Sequence, residues 1–154
     1  MRVPFAAVTL TLVAVAISTL LEASPGIRPP RTNSARRTEY VASLSGREGR
    51  KVSGSATARP SAGGKATDVT VTLEGDTPGA TRPWHIHSGS CKQSGGVVGG
   101  GRAYTPIAID LKGQGKGTAT VPVLLADSAT YYVNIHDAAT AMGTIVARGD
   151  LARK

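Results

Sequence analysis

From residue 38 onward, apolar and polar positions alternate in short stretches rich in Val, Thr, Ile and Tyr, with clusters of Gly, Pro, Asp and Ser between them. A two-residue period sends successive side chains to opposite faces of an extended chain, so each stretch reads as a β-strand with one apolar and one polar face. Eight strands are predicted, near 39–45, 51–59, 66–74, 83–88, 104–110, 117–124, 129–136 and 143–150. The segments between them carry turn residues: Gly75-Asp76 and Pro78-Gly79 before the fourth strand, the glycine-rich 95–101 before the fifth, and 113–117 before the sixth. This spacing predicts an all-β, antiparallel sandwich or barrel. Gly54-Ser55-Ala56-Thr57 and Gly117-Thr118-Ala119-Thr120 look alike, but four residues opening two strands are better explained by β composition than by duplication.

The first 37 residues follow a different pattern. Arg2 precedes an uncharged run, Val3 to Leu21, rich in Ala, Val and Leu, and Glu22-Ala23 then leads into Ser24-Pro25-Gly26. A basic start, an apolar run and a helix-hostile break form the layout of a secretory signal peptide over 1–23, which predicts export to a periplasmic or extracellular space. The run is long enough that an uncleaved signal anchor is the alternative. Residues 24–37 hold three Pro and four Arg (Arg28, Arg31, Arg36, Arg37) and almost nothing to bury, which predicts a disordered basic linker. Such a linker serves as a solvated stalk, or it adheres to an anionic envelope surface. The folded domain is expected over 38–154.

Composition narrows the chemistry. Nineteen Gly, nine Pro and a single Phe in 154 residues argue against an all-helical fold, and the net charge is +8. That charge does not point to nucleic acid, because the basic residues after 50 are scattered singly and aromatics are few. Arg82, Lys92 and Arg102 read as solvated surface charges by default, and as candidates for steering a small anion. A single cysteine, Cys91, excludes an intrachain disulfide and any cysteine-rich zinc module. As an unpaired thiol it is a small buried hydrophobe, an intermolecular disulfide site or a soft extra metal ligand.

Three histidines remain. In Trp84-His85-Ile86-His87 the strand period puts both imidazoles on one face and Trp84 and Ile86 on the core side. In Tyr131-Tyr132-Val133-Asn134-Ile135-His136 it puts Val133 and Ile135 toward the core and Asn134 and His136 opposite. Three neutral imidazoles with an open coordination position suit copper, the strongest divalent binder in the usual order, ahead of zinc. Asn134 and Asp137 are candidates to orient a ligand ring by accepting its N–H. The competing reading makes His85 and His87 ordinary polar-face residues of a half-exposed strand and His136 a strand cap.

Asp76-Thr77-Pro78-Gly79 leading into Trp84-His85-Ile86-His87-Ser88-Gly89-Ser90-Cys91, followed by Tyr132-Val133-Asn134-Ile135-His136 and Gly143-Thr144-Ile145-Val146-Ala147-Arg148-Gly149-Asp150-Leu151, resembles the copper/zinc superoxide dismutase superfamily. The likeness is to its secreted bacterial branch, which shades into CHRD (chordin-type) domains, and it extends over about 38–151. It implies an eight-stranded Greek-key barrel with copper held outside by His85, His87 and His136, and superoxide or the copper ion itself as partner. The chain also departs from that pattern. Residues 92–103, KQSGGVVGGGRA, contain neither His nor Asp, so the family's bridging histidine and zinc site are not expected. Ile145 stands where the family's guiding arginine falls, and Arg148 stands where the disulfide partner of Cys91 falls. A noncatalytic, CHRD-like or copper-sequestering module is therefore the alternative to a copper-only dismutase.

Overall fold

A computed structural model describes residues 38–154; the expected signal peptide (1–23) and basic linker (24–37) lie outside the described residues. The described chain is all-β. Its strands are β1 (Tyr40–Gly46), β2 (Ser53–Pro60), β3 (Thr67–Glu74), β4 (Thr81–Arg82), β5 (Trp84–Gly89), β6 (Ser94–Val97), β7 (Ile107–Ala108), β8 (Gly115–Val121), β9 (Tyr131–His136) and β10 (Ile145–Arg153), with one 3-10 turn at Gly101–Ala103. Eight of them form one antiparallel sheet in the order β6-β5-β9-β10-β1-β2-β3-β8, curled into a half-barrel. β4 and β7 form a separate two-stranded piece.

Alternation explains most of these strands. In β3 the buried side is Thr67, Val69, Val71 and Leu73, and Asp68, Thr72 and Glu74 are exposed. Tyr40, Ala42 and Leu44 of β1, Ala56 and Ala58 of β2, and Ala119 and Val121 of β8 complete one wall of the core. Trp84 and Ile86 of β5 and Val133 and Ile135 of β9 form the other, each at most 1% exposed. The Trp84 indole N–H is satisfied by the Thr105 carbonyl at 2.8 Å, and its ring meets Tyr104 edge-on at 5.0 Å.

The eight strands of the sheet are not the eight expected. Seven correspond, but the predicted strand at 104–110 shrinks to β7 and leaves the main sheet. Its apolar residues are still used: Tyr104, Ile107 and Ile109 are buried, and Ile107 lies against Gly117 of β8. The eighth member is β6, Ser94-Gly95-Gly96-Val97, which sits in the stretch read as a turn. All four residues are exposed and β6 is an edge strand, so pairing with β5 rather than burial of its own side chains makes it a strand.

β9 adds something the alternation did not show: Asn134 and His136 lie opposite the core as expected, yet all six residues of the strand are buried. Tyr132 stacks under His87 at 5.1 Å, and the segment 137–144 folds back beside His136. That cover turns polar-face residues into a partly enclosed site.

Candidate metal centre

β5 and β9 pair with His85 opposite Asn134 and His87 opposite Tyr132. With Trp84 and Ile86 fixed inward, His85 and His87 must point outward, and His136 follows from Ile135 in the same way. The structure thus brings together the three residues that the alternation singled out. One nitrogen of each ring lies within 4.8 Å of the other two. Ring centroids are separated by 6.0 Å (His85–His87), 5.3 Å (His85–His136) and 6.2 Å (His87–His136). Three nitrogens bound at about 2.1 Å to one ion in a trigonal or tetrahedral arrangement stand about 3.4–3.6 Å apart, so the rings must draw together by roughly 1 Å to share an ion.

The hydrogen bonds settle which nitrogens are available. His136 Nδ1 lies 2.6 Å from the Met142 carbonyl and His87 Nδ1 lies 3.1 Å from the Gly95 carbonyl. A carbonyl only accepts, so both rings carry their proton on Nδ1 and present an Nε2 lone pair. His87 Nε2 is buried and has no protein partner, a position that a metal ion could fill. His85 Nδ1 lies 3.3 Å from His136 Nε2, where it donates to that lone pair in the metal-free chain. The far edge of His85 faces Gly101, whose missing side chain would stand 3.4 Å from His85 Nε2.

Electrostatics favour the neutral form of His85 and His136, the form that metal ligation requires. Burial pushes His85 down to about 4, and the neighbouring His136 and His87 rings push the same way. Burial also lowers His136, and the Met142 carbonyl opposes it in part. His136 is 4% exposed, and His85 and His87 are half-buried.

The ring-orienting partners differ from those expected. Asn134 and Asp137 were candidates to accept a ring N–H, but the acceptors are the backbone carbonyls of Met142 and Gly95. The Asp137 carboxylate accepts from Arg82 at 2.7 Å and lies 3.6 Å from Arg50. Asn134 is buried opposite His85 with its Oδ1 unpartnered. Backbone carbonyls have no side-chain signature, so no sequence signal marked Met142 or Gly95.

No family model matches this chain, and no curated protein matches it.

One further residue moves from its expected place. Arg82, a candidate for steering an anion, is buried and doubly paired: it grips both oxygens of Asp76 at 2.8 and 2.6 Å, and Asp137 besides. Burial alone would raise the Asp76 carboxyl, but Arg82 and the Thr77 N–H hold it below the usual carboxylate range. Lys92 and Arg102 stay exposed. Cys91 is a free, half-buried thiol outside the histidine group, and its backbone N–H donates to Asp150 at 2.6 Å. Burial first, then Asp150, pushes the thiol up to about 11, so at neutral pH it is neither a thiolate ligand nor a nucleophile.

Proposed function

We propose that this chain is an exported copper protein of the superoxide dismutase kind, in which His85 Nδ1, His87 Nε2 and His136 Nε2 hold one copper ion. The observation that carries this reading is the convergence of the three nitrogens, with the lone pairs of His87 and His136 set by backbone carbonyls and that of His87 buried without a partner. Imidazole donors suit copper, and three of them leave a position open. Strand order is in keeping with the Greek-key expectation in one respect: β3 pairs with β8 and β5 with β9, so long connections carry the chain past its sequence neighbours.

Copper bound here would supply one-electron exchange with a small anion such as superoxide. The chain's own contribution is to favour neutral His85 and His136, fix the tautomers of His87 and His136, and wall the site with Tyr104, 5.2 Å from His85, and Tyr132. Arg102 is exposed and adjoins Gly101 at the far edge of His85, and it is a candidate for attracting an anion. Sequestration of copper without turnover is the second reading, favoured by Ile145 at the guiding-arginine position and by the engagement of Arg82 with two carboxylates.

Copper titration of the full chain, followed by superoxide consumption at low and high salt, tests both readings. One equivalent of copper and a rate that falls with salt support the dismutase. One equivalent with no consumption above that of the His85→Ala/His87→Ala variant reduces the function to sequestration. No stoichiometric copper overturns both.

A further inference from the structure

We propose that Arg82 is the positioning residue of this centre, setting His136 through Asp137 and the segment that follows it; the inference rests on the three-histidine metal reading. Arg82 ends β4, and only Pro83 and Trp84 separate it from His85. Asp137 directly follows His136. One guanidinium therefore joins the start of the His85 strand to the end of the His136 strand. Nη1 donates to both the carboxylate and the backbone carbonyl of Asp137, at 2.7 Å each. Nε and Nη2 donate to Asp76, whose own backbone N–H donates to Gly113 at 3.1 Å. Gly113 has φ +77, and a side chain there would stand 2.6 Å from the Asp76 carbonyl, so the anchor is itself tightly seated.

From Asp137 the path to the metal ligand is short. The Asp137 N–H donates to Thr144 at 2.9 Å, and Thr144 N–H donates to Ala141 at 3.0 Å, which closes the segment on itself. Within that closed segment Met142 turns its carbonyl to His136 Nδ1. The His136 N–H meanwhile donates to Pro83, the residue after Arg82, at 2.8 Å. Where Arg82 holds Asp137 thus decides where the Met142 carbonyl stands, and with it the direction of the His136 Nε2 lone pair. With a side-chain exposure of 5%, Arg82 is too buried for a surface ion pair, and its two-sided fork is a geometry that lysine does not reproduce. Arg50, 3.6 Å from the same carboxylate and half-exposed, lacks these contacts.

The test begins without metal. Nitrogen-15 NMR of the full metal-free chain is expected to show one slowly exchanging imidazole Nδ1–H for His136, assigned by its absence in His136→Gln. Arg82→Lys and Asp137→Asn are expected to broaden or remove that proton, and Arg50→Gln to leave it. In the copper-loaded chain the first two variants are expected to weaken copper binding about 10–100-fold and to shift the copper(II) EPR parameters, as loss of ligand-orienting contacts does. If Arg82→Lys lowers only the melting temperature, leaving the ring proton and copper affinity intact, the proposal is overturned. Should that variant not fold, Asp137→Asn, whose side chain is 35% exposed, decides alone. A wild-type chain that shows the proton but binds no copper refutes the metal reading, while the ring proton in the variants still decides whether Arg82 positions His136.

Discussion

Two parts of the same curled sheet carry polar residues on their outer faces and use them in opposite ways. Across β2, β3 and β8 the outer residues are hydroxyls and charges that satisfy one another in the open. Ser55 and Thr72 share a hydrogen bond at 2.9 Å, Thr120 donates to Asp68 at 2.8 Å, and Thr70 faces Thr118. Across β5 and β9 the outer residues are His85, His87, Tyr132, Asn134 and His136, and neighbouring segments cover them. There two polar atoms remain buried without a partner, His87 Nε2 and Asn134 Oδ1. Both faces come from the same two-residue alternation. The difference lies in what covers them, and an uncompensated buried lone pair is tolerable where a ligand supplies the partner.

The sharpest break of this comparison is beneath the covered face. Trp84→Ala removes the largest fully buried side chain and is expected to cost about 3–5 kcal/mol in denaturant unfolding. Ser55→Ala on the open face is expected to stay within about 0.5 kcal/mol. Function divides in the same way: His136→Ala is expected to weaken copper binding by more than about 100-fold in a competition titration, and Thr118→Ala to leave it unchanged.

Chemical reactivity gives the next contrast. With its thiol pushed up to about 11, Cys91 in the native chain is expected to alkylate about 100-fold more slowly at pH 8 than in urea, where an ordinary thiol is partly ionised. Mass spectrometry of iodoacetamide-treated samples reads this directly.

The pH dependence of stability is the mildest effect. His85 is neutral in the folded chain down to about 4, whereas an unfolded histidine takes up a proton near 6.5. As pH falls below 6.5 the unfolded chain binds protons that the folded chain refuses, so the stability of the metal-free protein declines from 6.5 and the His85 contribution is gone below about 4. Urea midpoints measured from pH 7.5 to 4.5 are expected to fall, and to fall less in His85→Gln.

What could be read from the sequence follows the same division. β3 and β5 were legible because branched or aromatic residues alternate with polar ones, and the same alternation exposed His85, His87 and His136 as one outward set. β6 was not, since Ser94-Gly95-Gly96-Val97 has no strand preference of its own and exists by pairing at the edge. β4 is only Thr81-Arg82 ahead of a proline, too short to show any period. Arg82 looked like a surface charge because its partners, Asp76 and Asp137, lie 6 and 55 residues away and only the fold assembles them. The carbonyls of Gly95 and Met142 that orient His87 and His136 are backbone groups, present at every position and marked by none.

Nitrogen superhyperfine structure in the EPR spectrum of the chain loaded with one equivalent of copper(II) tests the central claim most directly. Coupling to three imidazole nitrogens, falling to fewer in His87→Ala, is the predicted result. A spectrum identical in wild type and in the His85→Ala/His87→Ala variant would contradict it, because the copper would then be bound elsewhere.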